Sequence, residues 1–348
     1  MTHSLRAYLR ILKWRLAFRR LFASKRGGLI LLYHRVHDCG ADPWRMAVRP
    51  ESFDRQMAVL GRLGLASNVS ELAEHLAQDT PGAPRIAVSF DDGYVDNKDA
   101  ALPILERYGV PATFYITSGA IGHADAFWWD RLHRIFLEEP RLPRDLALTF
   151  ADGRTFQWCL GAEAAAGPDL LAACKAWSAD LNAPSGPRQR LMRTLWEMLE
   201  PLEAAERQPI LQELDRWSGT APPADERPMT KAELREFARS PLVEIGGHTR
   251  NHVDLGRVAP EVATREIAED RQALRDLTGQ DLRSFALPFG RMGRDTRDLI
   301  LKAGYSSATT SRSGRCEPGS DLMQLPRLQV EEMPIWMFES LISAVAGR

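Results

Sequence analysis

No segment of this sequence is apolar for long enough to cross a bilayer or to form the core of a secretory leader. That lack excludes a membrane-spanning helix and directs the expectation to a cytoplasmic protein, at most peripheral on the inner face of the membrane. Cysteine is scarce: Cys39, Cys159, Cys174 and Cys316 stand far apart with no C-x-x-C pair. This argues against a thiolate zinc site or a disulfide framework and suits a reducing compartment. A net charge of only −1 carries no polyanion-binding signature, so nucleic acid is excluded as a partner. Low-complexity tracts and internal repeats are lacking too, which removes disordered and solenoid classes. Nothing in the sequence specifies an oligomeric state. What is left is 348 residues of ordinary globular composition, enough for one large core or two modest ones.

Acidic residues are missing from one place. The first 28 residues carry eight Lys/Arg and no Asp or Glu; a net charge of −1 less those eight leaves −9 on the rest. Residues 1–26 read as a basic amphipathic helix, with Arg6, Arg10, Lys13 and Arg20 on one face. Two readings stay open: an interfacial helix on an anionic membrane surface, or a helix packed on the acidic body of the protein.

Short apolar runs follow, of the kind buried parallel strands require: 29–33, 85–90, 112–117, 242–247, 284–288 and 305–310. Helical segments alternate with them. One ends at Gly64. Another ends at Gly109 but contains Pro103, which predicts a kink. A third opens on the capping pair Thr230 and Glu233. The alternation implies an α/β fold with a parallel sheet, open or closed into a barrel. We expect strand-and-helix halves at 27–126 and 229–333, and a C-terminal helix at 334–348. Residues 127–228 break the rhythm and read as an insertion, mostly helical, with a hairpin turning at Asp152-Gly153. Six of the nine tryptophans fall there. Trp177, Trp196 and Trp217 read as core. Trp128 and Trp129 read either as core or as flat surfaces for sugar rings.

Chemistry concentrates where two strands end. "SFDDGY" places Asp91 and Asp92 side by side after an apolar run, an arrangement that costs repulsion and desolvation. "EIGGHTRNH" presents His248 and His252 after another. Two imidazoles and one carboxylate make a sound donor set for a divalent cation such as zinc, and cobalt, nickel or iron could take the same ligands. The second carboxylate is then free to act as a base toward water, kept ionised by the cation's field.

"SFDDGY", "HTRNH" and "ALPFG" (286–290), in that order, resemble the three motifs of the polysaccharide deacetylases, the NodB-homology family. The resemblance covers about residues 28–126 and 229–333, with the insertion outside it. It implies a distorted (β/α)7 barrel that removes N-acetyl groups from amino-sugar glycans. Position by position, it makes Asp91 the general base and Asp92, His248 and His252 the metal ligands. It also makes the backbone near Tyr94 and the segment Pro288, Phe289 and Gly290 candidate substrate contacts, to which Trp128, Trp129 and Arg327 are added. Two departures stand out. Ala286 occupies the place of the arginine that orients the base, and no histidine follows His252 to serve as the late acid. His34, in "LLYHRV", is similar to the early "YH" segment of exopolysaccharide-type deacetylases and is a candidate acid, the other reading being a core histidine. Arg327 is a candidate replacement for the missing arginine. The expected partner is an N-acetylated glycan or a lipid-linked saccharide. Two other readings are a deacetylase-like glycan binder without turnover and a metal-dependent amidase acting on a non-sugar acetamide.

Overall fold

The computed structural model describes residues 27–78, 83–123, 125–220 and 226–346. The basic stretch 1–26 lies outside them. Eight strands form one parallel sheet: β1 (Gly28–Tyr33), β2 (Ala66–Ser67), β3 (Arg85–Phe90), β4 (Ala112–Ile116), β5 (Val243–Gly247), β6 (Ser284–Ala286), β7 (Ser307–Thr309) and β8 (Leu328–Gln329). Their spatial order is β7-β6-β5-β4-β3-β1-β8, with β2 beside the start of β3. The sheet curls so far that its edges nearly meet. Leu325 pairs with Thr309 beyond β7, and three residues later Leu328 pairs with Leu31 of β1. This is the distorted β/α barrel, with seven strands on the main path.

Each strand divides its side chains between two environments, because successive residues face opposite sides. On the outer side Leu29, Leu31 and Tyr33 of β1, Ile86, Val88 and Phe90 of β3, and Phe114 and Ile116 of β4 join one apolar core. The helices Pro50–Leu63 and Pro260–Thr278 close over it, the former ending on Gly64 in the left-handed conformation. The inner side is narrower and mixed. It holds Ile30, Ala87, Tyr115 and Ala286 together with polar Ser89, Thr113 and Arg327.

Pro103 does not break its helix. The chain takes a π-helical turn at Asn97–Ala101, and the α-helix Leu102–Tyr108 follows directly. Proline has no N–H to give, so a wider turn just before it absorbs the mismatch. The capping pair is present, with the Glu233 N–H donating to Thr230 Oγ1 at 3.2 Å and the Thr230 N–H to Glu233 Oε2 at 2.6 Å.

Between β4 and β5 lies a separate apolar cluster. The hairpin pairs Asp145–Thr149 with Thr155–Cys159, antiparallel, and the helices Pro187–Leu199 and Ala204–Ser218 pack with it around Leu146, Leu191, Leu195 and Leu214. Trp177 is buried there, while Trp196 and Trp217 are half-buried at its margin. Among the described residues no helix is long and apolar enough to cross a membrane.

Candidate active site

Parallel strands point their C-terminal ends the same way, and the chemistry gathers there. The register sets Tyr33 beside Phe90 and Ile116 beside Gly247. His34, the Asp91-Asp92 pair and His248 therefore leave neighbouring strands at one level. Beyond the strand ends the backbone is unusual. Among the described residues five non-glycines have positive φ, and four belong to this mouth: Asp92 (76°), Thr249 (61°), His252 (54°) and Phe289 (57°). Such conformations cost energy and persist where surrounding contacts impose them. Gly93, next to Asp92, has φ 93° and completes the turn.

Asp92 Oδ1 lies 3.6 Å from His248 Nε2 and 3.4 Å from His252 Nε2. The ligand atoms of the three residues all fall within 4.8 Å of one another. His248 Nδ1 is 2.8 Å from the carbonyl oxygen of Ala286; donation to it leaves Nε2 as the lone-pair nitrogen facing Asp92. Burial lowers the proton affinity of His248, and that of His252 well below the ordinary range, which favours the neutral, ligating form. The positive charge of Arg207 adds a smaller effect on His252. Burial, reinforced by the adjacent Asp91 charge, pushes the Asp92 carboxyl well above the ordinary carboxylate range. Asp92 Oδ1 is enclosed and without a hydrogen-bond partner among the described residues. An orphaned carboxylate oxygen converging with two imidazole nitrogens fits a divalent cation.

Asp91 is held differently. Arg327 Nη1 donates to its Oδ1 at 2.6 Å and Nη2 to its Oδ2 at 2.7 Å, a bidentate pair buried on both sides. Burial opposes the Asp91 charge, but the opposite charge around it, Arg327 foremost, outweighs burial and brings the carboxyl down to about 2. Sequence reasoning assigned this ionising role to the cation. The structure adds a guanidinium to that role. Arg327 is itself fixed, its Nε donating to the Thr310 carbonyl at 2.9 Å and its plane lying 5.5 Å from the Tyr115 ring. Ala286, where the resemblance leads one to expect arginine, faces the same barrel interior.

Several expected substrate contacts need correction. Arg327 is fully buried beneath Asp91 and cannot also meet a substrate. Tyr94 is enclosed, its hydroxyl donating to Asp130 Oδ2 at 2.8 Å and accepting from Trp129 Nε1 at 2.7 Å, so only its backbone is left for the role. Trp128 and Trp129 are largely buried, and only their margins reach the wall of a neighbouring cleft. Trp128 packs at a tilt against Trp196 and lies under the Arg207 guanidinium, while Trp129 lies between Phe127 and the His252 ring. Of the "PFG" segment, Pro288 is buried, whereas Phe289 is half-exposed with its ring 4.8 Å from that of His252. Gly290 has φ 66°, and a Cβ there would come within 2.0 Å of Ser311 Oγ, so this position tolerates only glycine. His34 is half-buried, within the electrostatic reach of Asp91, Arg327 and His248, and its Nδ1 has no partner among the described residues. Burial lowers its pKa to about 4.

Two functional carboxylates escaped the sequence reading. Asp270 Oδ2 accepts the His248 backbone N–H at 3.0 Å, and its Oδ1 accepts that of Ser118 at 3.1 Å. Glu266 accepts the Asn251 backbone N–H at 2.8 Å and its side-chain amide at 2.7 Å. Both come from the helix Pro260–Thr278 and brace the strained histidine loop. A signal existed: they sit four apart on the face that also carries Ala263, Ile267 and Leu274, where an acid is out of place.

A family model described as polysaccharide deacetylase matches residues 78–141 and 212–308, which contain the aspartate pair and both histidines. Over these two stretches the chain is similar to the polysaccharide deacetylases. YxkH of Bacillus subtilis (strain 168), which carries the same family name, is 32% identical over 96 residues. That stretch is 27% of this chain and 33% of YxkH. Among solved structures, the Streptococcus pyogenes deacetylase PplD, in complex with acetate, superposes with a TM-score of 0.56 at 18% identity, over 92% of this chain and 99% of its own. IcaB from Ammonifex degensii gives 0.53 at 16%, over 92% and 97%. At these identities the likeness is one of fold. It covers 92% of this chain in both cases, and so takes in the insertion as well as the barrel.

Proposed function

We propose that this protein hydrolyses N-acetyl groups on an amino-sugar glycan or glycan intermediate, of the kind handled in exopolysaccharide or cell-envelope carbohydrate metabolism. The observation that carries the reading is the opposite treatment of two adjacent aspartates. Asp92 faces two neutral imidazoles, and Asp91 is held ionised by Arg327. A divalent cation, with zinc the first choice for two nitrogens and an oxygen, would be held by Asp92, His248 and His252, where it polarises the acetamide carbonyl and acidifies water.

The protein's own groups do the rest. Asp91, aimed by the two guanidinium contacts, takes a proton from the water that attacks the carbonyl carbon. The departing amine needs a proton in return, because an amide anion is a very poor leaving group. His34, within electrostatic reach of Asp91 and with its Nδ1 unpartnered among the described residues, is our candidate to pass it on. Retention of Asp91 speaks against a protein that only binds glycan, since binding needs no base. The acetate held by PplD, a chain of the same fold, is the product this reading expects. The proposal extends to place: the basic residues of 1–26 suit an anionic cytoplasmic membrane face, and flotation with liposomes, with and without that stretch, tests this.

Acetate release from a panel of N-acetylglucosamine oligomers by metal-loaded protein tests the activity. Asp91→Asn should lower kcat by about 10³-fold or more, and His34→Ala by about 10²-fold with metal content unchanged. No release from any glycan at stoichiometric metal would sink the proposal; full activity of His34→Ala would remove the assigned acid.

A further inference from the structure

A cleft separates the insertion from the barrel and reaches the histidine loop. Its inner part, about 350 Å³, is lined by His252, Thr117 and Asn251 on the barrel side and by Trp128, Arg207 and Leu211 on the other. A second cavity of about 550 Å³ adjoins it, sharing Arg207, Asn251 and Ala204, and runs outward past Val253 and Arg257. A chain-like substrate with one sugar at His252 has room to continue along this path. Arg207 stands where the two volumes meet.

Most cations lining the cleft are neutralised. Arg131 is paired with Asp215, Arg250 with Glu269, and Arg257 with Glu200 and Asp254. Arg207 differs. It is 8% exposed and, among the described residues, has no carboxylate partner. Its Nε donates to the Leu199 carbonyl at 3.1 Å and its Nη2 to that of Leu202 at 2.6 Å, while its plane lies 4.7 Å from the Trp128 ring. Three contacts thus fix the guanidinium and, among the described residues, leave Nη1 without a hydrogen-bond acceptor. The nearby acid Glu200 is already taken by Arg257 and Arg291. Burying a cation without a counter-charge is costly, and a fold that keeps one rigid beside a substrate path is preorganised for an anion.

We propose that Arg207, supplied by the insertion, is a specificity residue that binds a carboxylate or phosphate carried by the glycan near the N-acetylated sugar. The inference rests on the deacetylase reading for the path of the substrate. It goes beyond that reading in the charge of the ligand: the preferred substrate is acidic, and the insertion selects it. A charge-assisted bond at one fixed nitrogen gives about tenfold discrimination over a neutral ligand of the same size.

Calorimetry on metal-loaded protein decides the matter with three probes: N-acetylglucosamine 1-phosphate, a disaccharide of N-acetylglucosamine and glucuronate, and the neutral N-acetylglucosamine disaccharide. Wild type should bind at least one acidic probe about tenfold tighter than the neutral one, the better of the two telling phosphate from carboxylate. Added salt should narrow the gap. Arg207→Gln should erase the preference while leaving the neutral probe within about twofold, and Arg207→Lys should keep part of it. Equal affinity of wild type for all three, binding of none, or a preference that survives in Arg207→Gln would overturn the assignment; the first two need no variant and do not depend on its folding. Acetate release is read separately. Preferential binding of an acidic probe without release from any sugar would sink the hydrolase reading and leave the anion subsite standing.

Discussion

The barrel mouth and the insertion solve opposite problems with buried side chains. The mouth buries charge: Asp91 and Arg327 clasp each other, Asp92 waits on two imidazoles, and Asp270 and Glu266 brace the loop between them. Four positive-φ residues hold this arrangement in place. The core of the insertion is carbon, leucines and aromatic rings filling the space between the hairpin and helices, and its buried arginines Arg188 and Arg207 sit on backbone carbonyls. The contrast teaches that stability and chemistry are coupled in one region and separable in the other. A polar group removed from the mouth strands its partner in a low-dielectric interior, whereas a methyl group removed from the insertion leaves only a void.

The largest expected effect breaks the first half of that comparison. Arg327→Met leaves the Asp91 carboxylate buried and unpaired, so urea denaturation should show a loss of about 3–5 kcal/mol. Acetate release should fall with it, because nothing else aims the base. An Arg327→Met protein of unchanged stability and kcat would show that the pair is ornamental.

A somewhat smaller effect tests the second half. Leu195→Ala empties a fully buried site in the insertion and should cost about 2–4 kcal/mol by the same denaturation assay. Below its unfolding transition, kcat should stay within about threefold of wild type. If kcat collapses while the fold persists, the insertion core is wired into catalysis and the two regions are not separable.

The smallest effect sits at the seam, where Asp130 of the insertion accepts the Tyr94 hydroxyl. Burial raises the Asp130 carboxyl from 3.8 to about 7. The folded state therefore holds this proton up to about pH 7, while the unfolded chain releases it near pH 4. Between those values folding binds the extra proton, so the contribution of Asp130 to stability declines as pH rises. Asp130→Asn removes that decline. In chelator-treated protein, wild type should lose on the order of 2 kcal/mol relative to Asp130→Asn between pH 5 and pH 7.5. Parallel stability profiles of the two proteins would place Asp130 in a wetter setting than its burial indicates.

Much of this was legible beforehand because its causes are local. A run such as Arg85–Phe90 is apolar on both faces and declares a buried parallel strand, and each of the six apolar runs contains a strand of the sheet. Asp91, Asp92, His248 and His252 were found through spacing and family motifs, since their placement is costly without a purpose. Trp128 and Trp129 stayed ambiguous because composition shows what a ring can do and not which face is covered. Asp270 and Glu266 hid inside an amphipathic helix, where two acids pass for solvated charges.

By itself, then, the order of residues determined the strands, the helix ends at Gly64 and Thr230, and the polar groups that emerge where the strands of the barrel stop. Those outcomes depend on side-chain periodicity, capping and backbone freedom within a few neighbours. Only the tertiary structure decided that Arg327, 236 positions from Asp91, grips its carboxylate, and that Arg207 stands beside the route to His252. A buried charge finds its partner by closure of the barrel, and barrel closure brings together residues that no local pattern relates.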